Sequence, residues 1–405
     1  MKIQEIRTIV TCPDKQSFVV VKIITDEGVY GVGEGTKNGR ELAVATLLDK
    51  HLAPTLIGRD PIASEDIWKF LYKGAYWRGG PIEMAAIAAI DMALWDIKGK
   101  VAGLPVYKLL GGPTRKKLLT YAHTGGRDFA ECVDTMLAAK ARGFKVIRSQ
   151  VQIPGMPGSY GAEDKNDPDL ARSQAERLPY EGAWEPEPFI RTMPKLMAHL
   201  RTHVGWDVQM FFDAHGRLTP SEAARLMHDI EDYKLIYLED PIGPEHAPSM
   251  RRVRAGGTTP IAIGEIMSSR FEVLPMIIDQ SIDYMRCSPQ HIGGITEAKK
   301  IAAIGEPHDV RTAYHGPGDI GTIGAAASAH VGMSIPNYGI QEWTPHPEIV
   351  REVMPPALTY DDGYLMLSDA PGLGADINEE LAARFPYQRK YLPATRRADG
   401  SMHGY

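Results

Sequence analysis

Cysteine is scarce in this chain: Cys12, Cys132 and Cys287 are three in 405 residues, odd in number and far apart. That excludes a disulfide framework and metal-finger spacing, and it fits a reduced compartment. Cys287 follows a strand end, but nothing beside it suggests an activating base, so it reads as a buried structural thiol. Long hydrophobic runs are missing too, and none approaches the length of a membrane span. The opening MKIQEIRTIV lacks the charged region, apolar core and cleavage site of a signal peptide. There is no surplus of positive charge: 45 Lys and Arg stand against 51 Asp and Glu, a net charge of −6 that gives no reason to expect nucleic acid or anionic membrane as a partner. Apolar residues at 43% and charged residues at 24% are ordinary for a soluble globular protein, and a cytoplasmic one is expected.

What the chain does have is a repeat of strand ends carrying reactive side chains. The runs DVQMFFDAH, KLIYLEDP, PIAIGE, IDYMRCSP, VRTAYHG and YGIQEW end at Asp213, Glu239, Glu265, Arg286, His315 and Glu342. LLTYAH, ending at His123, and KVIRSQ, containing Arg148, precede them and bring the strand count to eight. Strands at this pitch with helical stretches between them predict an α/β fold, a parallel (β/α)8-type barrel, whose strand C-termini hold the active site. One such helix starts at Thr219-Pro220-Ser221-Glu222 and runs to about Tyr233.

The first hundred residues follow a different pattern. SFVVVKIITDEGVYGVGEG predicts a hairpin or meander turning at Asp26-Glu27-Gly28, and PIEMAAIAAIDMALWDIKGK predicts an Ala-rich helix ended by Gly103-Leu104-Pro105. The expected division is an α+β capping domain over residues 1–113, the barrel over 114–360, and a segment over 361–405 that returns to the capping domain. Residues 152–188 are rich in Pro, Gly and charge with little helical periodicity. Leaving the second strand at the catalytic face, they read as a lid, with a structural or oligomer-contact loop as the alternative.

Asp213, Glu239 and Glu265 lie 26 residues apart each time and end successive strands. One such acid would more often cap a helix or pair with a base. Three at corresponding ends would repel one another unless a cation lay between them. Oxygen-only donors favour a hard cation, Mg²⁺ first, over structural zinc. Such an ion can bind a substrate carboxylate and stabilise the enediolate left when the adjacent carbon loses its proton. His215, two residues past Asp213, is placed to give or take a proton. His51, His199, His203, His228 and His330 read as satisfied core or surface residues, whereas His123, His215 and His315 share one rim.

DAHGRLTP, YLEDP, IAIGE, HGPGD and PGLGADINEE resemble the enolase superfamily, and KNGREL, GAYWRGGP, AIDMALWDIKGK, YAHTGG, VIRSQ, GSYG and YGIQEW narrow the resemblance to its mannonate dehydratase branch. The resemblance spans nearly the whole chain. It implies the (β/α)7β form of the barrel with an N-terminal capping domain, Mg²⁺ on Asp213, Glu239 and Glu265, a homo-oligomer, and a small acid sugar as partner. The second strand reads Arg148-Ser149-Gln150 where other branches carry Lys-x-Lys. By resemblance Arg148 pairs with Tyr160, which becomes the base because a nearby guanidinium favours the phenolate. Asn38, His123, His215, Glu265, Arg286, His315, Asp319 and Glu342 then hold the substrate, with His215 also serving the departing hydroxyl.

The implied activity is dehydration of D-mannonate or D-gluconate to 2-keto-3-deoxy-D-gluconate. The alternatives are epimerisation or another reaction through the same enediolate, and a sugar-acid-binding or regulatory protein without turnover. Pro317 stands where efficient mannonate dehydratases of this branch tend to carry Ala. Ile320-Gly321-Thr322-Ile323 departs from the usual Ser-Pro, and the end DGSMHGY lacks the Trp of many relatives. These departures point to low efficiency.

Overall fold

A computed structural model describes residues 1–156, 160–162, 167–176 and 178–404. They fall into two compact units, one of Met1–Leu119, Gly264–Leu274 and Met285–Arg389, the other of Thr120–Ile263, Pro275–Tyr284 and Lys390–Tyr405.

In the first unit, strands Ile3–Thr11, Phe18–Thr25 and Tyr30–Glu34 form an antiparallel meander with the predicted turn between the second and third. The predicted Ala-rich helix runs Pro81–Ala102 and stops at Gly103. It lies so close to the third strand that a Cβ on Gly33 would sit 1.9 Å from the Ala89 carbonyl oxygen, so the small residues on both sides set the packing distance. Because the helix is buried nearly all round, its sequence shows little amphipathic contrast. Strands Arg311–Tyr314 and Tyr338–Glu342 pair in parallel, with helix Thr322–Ser334 between them in sequence. The register Tyr314↔Gln341 carries His315 and Glu342 out at the same end. Further along, the tail reaches the meander: the Cys12 N–H, just past the first strand, donates to the Phe385 carbonyl at 2.8 Å, and Lys22 of the second strand meets Glu379 at 2.6 Å.

The second unit holds the parallel run in which His123 is registered on Arg148 and Arg148 on Phe211. Leu238–Glu239 pairs in parallel with Ile261–Ile263, and a further bridge joins Asp213 to Glu239. The strand expected to end at His123 continues to Gly126. Helix Pro220–Ile230 has the start chemistry read from the sequence: Pro220 opens it, and Thr219 and Glu222 form a reciprocal capping box. Among the described residues of 152–188, a helix forms at Pro168–Glu176 and a strand at Glu181–Ala183, elements that the composition did not predict. That strand pairs with Ala394–Arg396, which pairs with Met402–Gly404, so its partners come from the far end of the chain. Of the lid expectation, residues 157–159, 163–166 and 177 lie outside the described residues. Among the described residues, no helix is long and apolar enough to cross a membrane.

Candidate active site

Two clusters of polar side chains gather at strand ends, one in each unit. In the second unit Asp213, Glu239 and Asp240 are buried and offer oxygen atoms that lie within 4.8 Å of one another. Asp240 was not singled out from the sequence; its adjacency to Glu239 in YLEDP was the available signal. His215 and Asp240 take left-handed backbone conformations, with φ of 55° and 37°. Such angles are uncommon for residues other than glycine and cost on the order of 1–3 kcal/mol each, a strain that concentrates at functional sites. The turn is tied by Asp213 itself, whose Oδ1 accepts the His215 backbone N–H at 2.7 Å.

Arg148 is buried beside these acids. Its Nη1 lies 3.3 Å from Asp213 Oδ2 and 3.5 Å from Glu239 Oε1, and its Nη2 is 3.2 Å from His123 Nδ1. Burial alone would lower the guanidinium pKa, but attraction to Tyr160, then to Glu239 and Asp213, holds it well above its usual value. The Arg148 guanidinium sits 5.4 Å from the Tyr160 ring centre, and Tyr160 stacks on His215 with ring centres 3.6 Å apart and an interplanar angle of 18°. Of GSYG, Gly158 and Ser159 lie outside the described residues.

Three residues that the sequence reading missed frame Tyr160. The Arg217 guanidinium is 5.8 Å from its ring centre and 5.7 Å from that of Trp184, while His403 stacks on Trp184 at 4.8 Å and donates from Nε2 to the Arg217 carbonyl at 3.0 Å. Nothing local marks His403 as a neighbour of residue 217; the small sheet brings it there.

The first unit carries the other cluster. Arg286, almost wholly buried, donates from Nη2 to Glu265 Oε2 at 2.7 Å and to Glu342 Oε2 at 3.1 Å. His315 Nε2 lies 3.8 Å from the same Glu265 oxygen, and the Gly316 N–H donates to Glu342 at 3.1 Å. Glu265 thus sits with Arg286 and His315, while the grouped acids of the second unit are Asp213, Glu239 and Asp240. Asn38 places its side-chain oxygen in a buried position without a hydrogen-bond partner among the described residues. Lys37, another residue missed from the sequence, has its pKa lowered by burial against the attraction of Asp319 and Glu265, which marks it as their neighbour. His330 shows the bland alternative: Nδ1 accepts the Tyr107 N–H and Nε2 donates to the Leu373 carbonyl, both at 3.1 Å, and burial brings its pKa down to about 4.

The donor chemistry fits a magnesium ion. Three carboxylates this close and this buried offer only oxygen, and their mutual repulsion is relieved by a hard divalent cation.

Comparison with known proteins agrees. Residues 1–111 match the family described as mandelate racemase / muconate lactonizing enzyme, N-terminal domain, and residues 133–381 match the enolase C-terminal domain-like family. The chain is 46% identical over 406 residues to the D-mannonate dehydratase of Caulobacter vibrioides, covering 100% of both chains. It is 43% identical over 402 residues to the D-galactonate dehydratase family member RspA of Halomonas elongata, covering 99% of each. A crystal structure of an enolase from Pantoea ananatis, with bound D-gluconate and Mg, is 41% identical and superposes with a TM-score of 0.92 over 100% of both chains. A capping domain followed by the (β/α) barrel is therefore the architecture of this chain, which belongs to the enolase superfamily.

Proposed function

We propose that this protein is a Mg²⁺-dependent acid-sugar dehydratase acting on D-mannonate, D-gluconate or both to give 2-keto-3-deoxy-D-gluconate. The observation that carries this reading is the buried acid cluster beside the Arg148–Tyr160–His215 arrangement: a metal-type donor set next to a proton-transfer pair. Asp213 and Glu239 of that cluster, with Glu265 as the family resemblance implies, would hold the ion, which when bound would draw charge from the substrate carboxylate and make the neighbouring C–H more acidic.

This chain's own groups supply the remaining chemistry. Tyr160, favoured as phenolate by Arg148 with Arg217 nearby, takes the proton from C2. His215, held against Tyr160 by stacking and by its tied turn, gives a proton to the hydroxyl leaving C3, so that water departs and the resulting enol tautomerises to the 2-keto acid. Arg286, bridging Glu265 and Glu342, presents fixed positive charge for the carboxylate end of the substrate. Asn38, His123, His315, Asp319 and Glu342 supply donors and acceptors for the hydroxyls, and Asn38 has a side-chain oxygen to spare.

Weak turnover is part of the proposal, because Pro317 has no N–H to offer two residues past His315. A cytoplasmic homo-oligomer is the setting that this reading implies. The test is incubation of the purified protein with Mg²⁺ and each aldonic acid, scored for 2-keto acid by chemical trapping and NMR. Formation of 2-keto-3-deoxy-D-gluconate supports dehydration. Conversion of one aldonate to its C2 epimer would mean epimerisation, and tight binding without product would mean a binding or regulatory protein.

A further inference from the structure

Four donors of the first unit converge on one buried carboxylate outside the proposed chemistry. Glu34, at the end of strand Tyr30–Glu34, accepts the Gly321 N–H at 2.7 Å, the Gly324 N–H at 2.9 Å, the Thr36 hydroxyl at 2.8 Å and Gln290 Nε2 at 3.3 Å. Burial raises its pKa to about 6, which leaves it ionised at neutral pH, as four donors require. The network extends along the backbone. The Thr36 carbonyl accepts Gln290 Nε2 at 2.9 Å and His291 Nε2 at 3.3 Å, and the His291 ring lies 5.8 Å from that of His315. The Thr36 hydroxyl in turn accepts the Val19 N–H at 3.1 Å.

Two loops are fastened by these contacts. One is Thr36-Lys37-Asn38, which continues from strand Tyr30–Glu34; the other is Gly316–Gly321, which carries Pro317 and Asp319 into helix Thr322–Ser334. That helix has no side-chain cap of its own, because its N-cap is Gly321. Glu34 caps it instead, satisfying two N-terminal N–H groups and placing negative charge at the positive end of the helix dipole. The departure Gly321-Thr322 noted in the sequence has a spatial reason. A Cβ at residue 321 would sit 2.7 and 2.8 Å from the two Glu34 carboxylate oxygens, so only glycine admits the carboxylate at this distance.

We infer that Glu34 is a positioning residue which, with Thr36 and Gln290, locks the Asn38 loop to the Pro317–Asp319 loop and so fixes the spacing of two groups that grip the acid sugar. The inference rests on the proposed function for its ligand and on hydrogen bonds alone for the lock. Thr36→Val removes the hydroxyl that bridges Glu34 and Val19, whereas Thr36→Ser keeps it. Glu34→Gln turns one acceptor into a donor facing donors.

Two readouts on the full-length protein test it. Deuterium exchange over residues 34–40 and 316–324 should quicken in both segments together for Thr36→Val and Glu34→Gln, and stay at the wild-type rate for Thr36→Ser. With D-mannonate and D-gluconate, KM should rise about tenfold or more while kcat and Mg²⁺ affinity change much less, since the lost contact positions binding groups and no metal ligand. Faster exchange confined to residues 34–40, or a fall in kcat at unchanged KM, would overturn the inference. If the wild-type protein turns over neither acid, the functional reading fails, and the exchange experiment still decides whether the two loops are coupled. Should Glu34→Gln not fold, the Thr36 pair carries the same test.

Discussion

Arg148 is the side chain whose removal should be most revealing, because it touches both halves of the proposed chemistry. Its guanidinium lies 5.4 Å from the Tyr160 ring centre. At that distance and an effective dielectric constant of about 20, a unit positive charge favours a phenolate by roughly 3 kcal/mol. One decade of rate is about 1.4 kcal/mol, so Arg148→Met should lower kcat at neutral pH by roughly a hundredfold. Arg217, at 5.8 Å, remains and keeps the loss from being larger. The defect should shrink as pH is raised, because solvent then does what the guanidinium did. Arg148→Lys should fall between the two, retaining charge but losing the planar fork that spans Asp213 and His123. Mg²⁺ affinity should not fall in Arg148→Met and should tend to rise, since a cation competing for Asp213 and Glu239 has gone. The assay is 2-keto acid formation across pH, with Mg²⁺ titrated by calorimetry. A loss of activity that is the same at every pH, or a loss of metal binding, would refute the reasoning.

Three other perturbations address separate parts of the molecule. Glu239→Gln should weaken Mg²⁺ binding by calorimetry at least about tenfold, and unchanged affinity would remove Glu239 from the direct ligands. Burial pushes the Asp91 pKa from 3.8 up to about 7 in the folded protein, so the native state binds the extra proton between those values. Stability should therefore fall as pH rises through that window, and Asp91→Asn should flatten the dependence in thermal melts; parallel wild-type and mutant curves would count against it. Pro317→Ala restores an N–H near His315 and should change the ratio of kcat/KM for D-mannonate to that for D-gluconate. Misplacing a substrate contact by about 1 Å can cost on the order of a hundredfold, so an unchanged ratio would clear Pro317 as a cause of weakness.

Much of the molecule was legible because its signals are local. The turn at Asp26-Glu27-Gly28, the Ala-rich helix ending at Gly103 and the capping box at Thr219 and Glu222 are written in adjacent residues and recur in the structure. Strand-end residues were legible for the same reason, since an apolar run closing on Asp213, Glu239 or His315 states its own register. What escaped lies in contacts between distant segments. The strand Glu181–Ala183 is three residues long and pairs with residues more than two hundred positions later, so no window around it carries the signal. His403 reaches Trp184 by that same pairing. Glu34 resembled any strand-ending acid, because its four donors come from three separate stretches of chain.

The proposed mechanism stands or falls most directly on hydrogen exchange at C2 of the substrate. Wild-type protein with Mg²⁺ in deuterated solvent should form 2-keto-3-deoxy-D-gluconate from D-mannonate, D-gluconate or both, whereas Tyr160→Phe, retaining the ring that stacks on His215 but lacking the phenol, should form no product and leave the C2 proton of recovered substrate unexchanged. Exchange or dehydration by Tyr160→Phe at the wild-type rate would contradict the assignment of Tyr160 as the base.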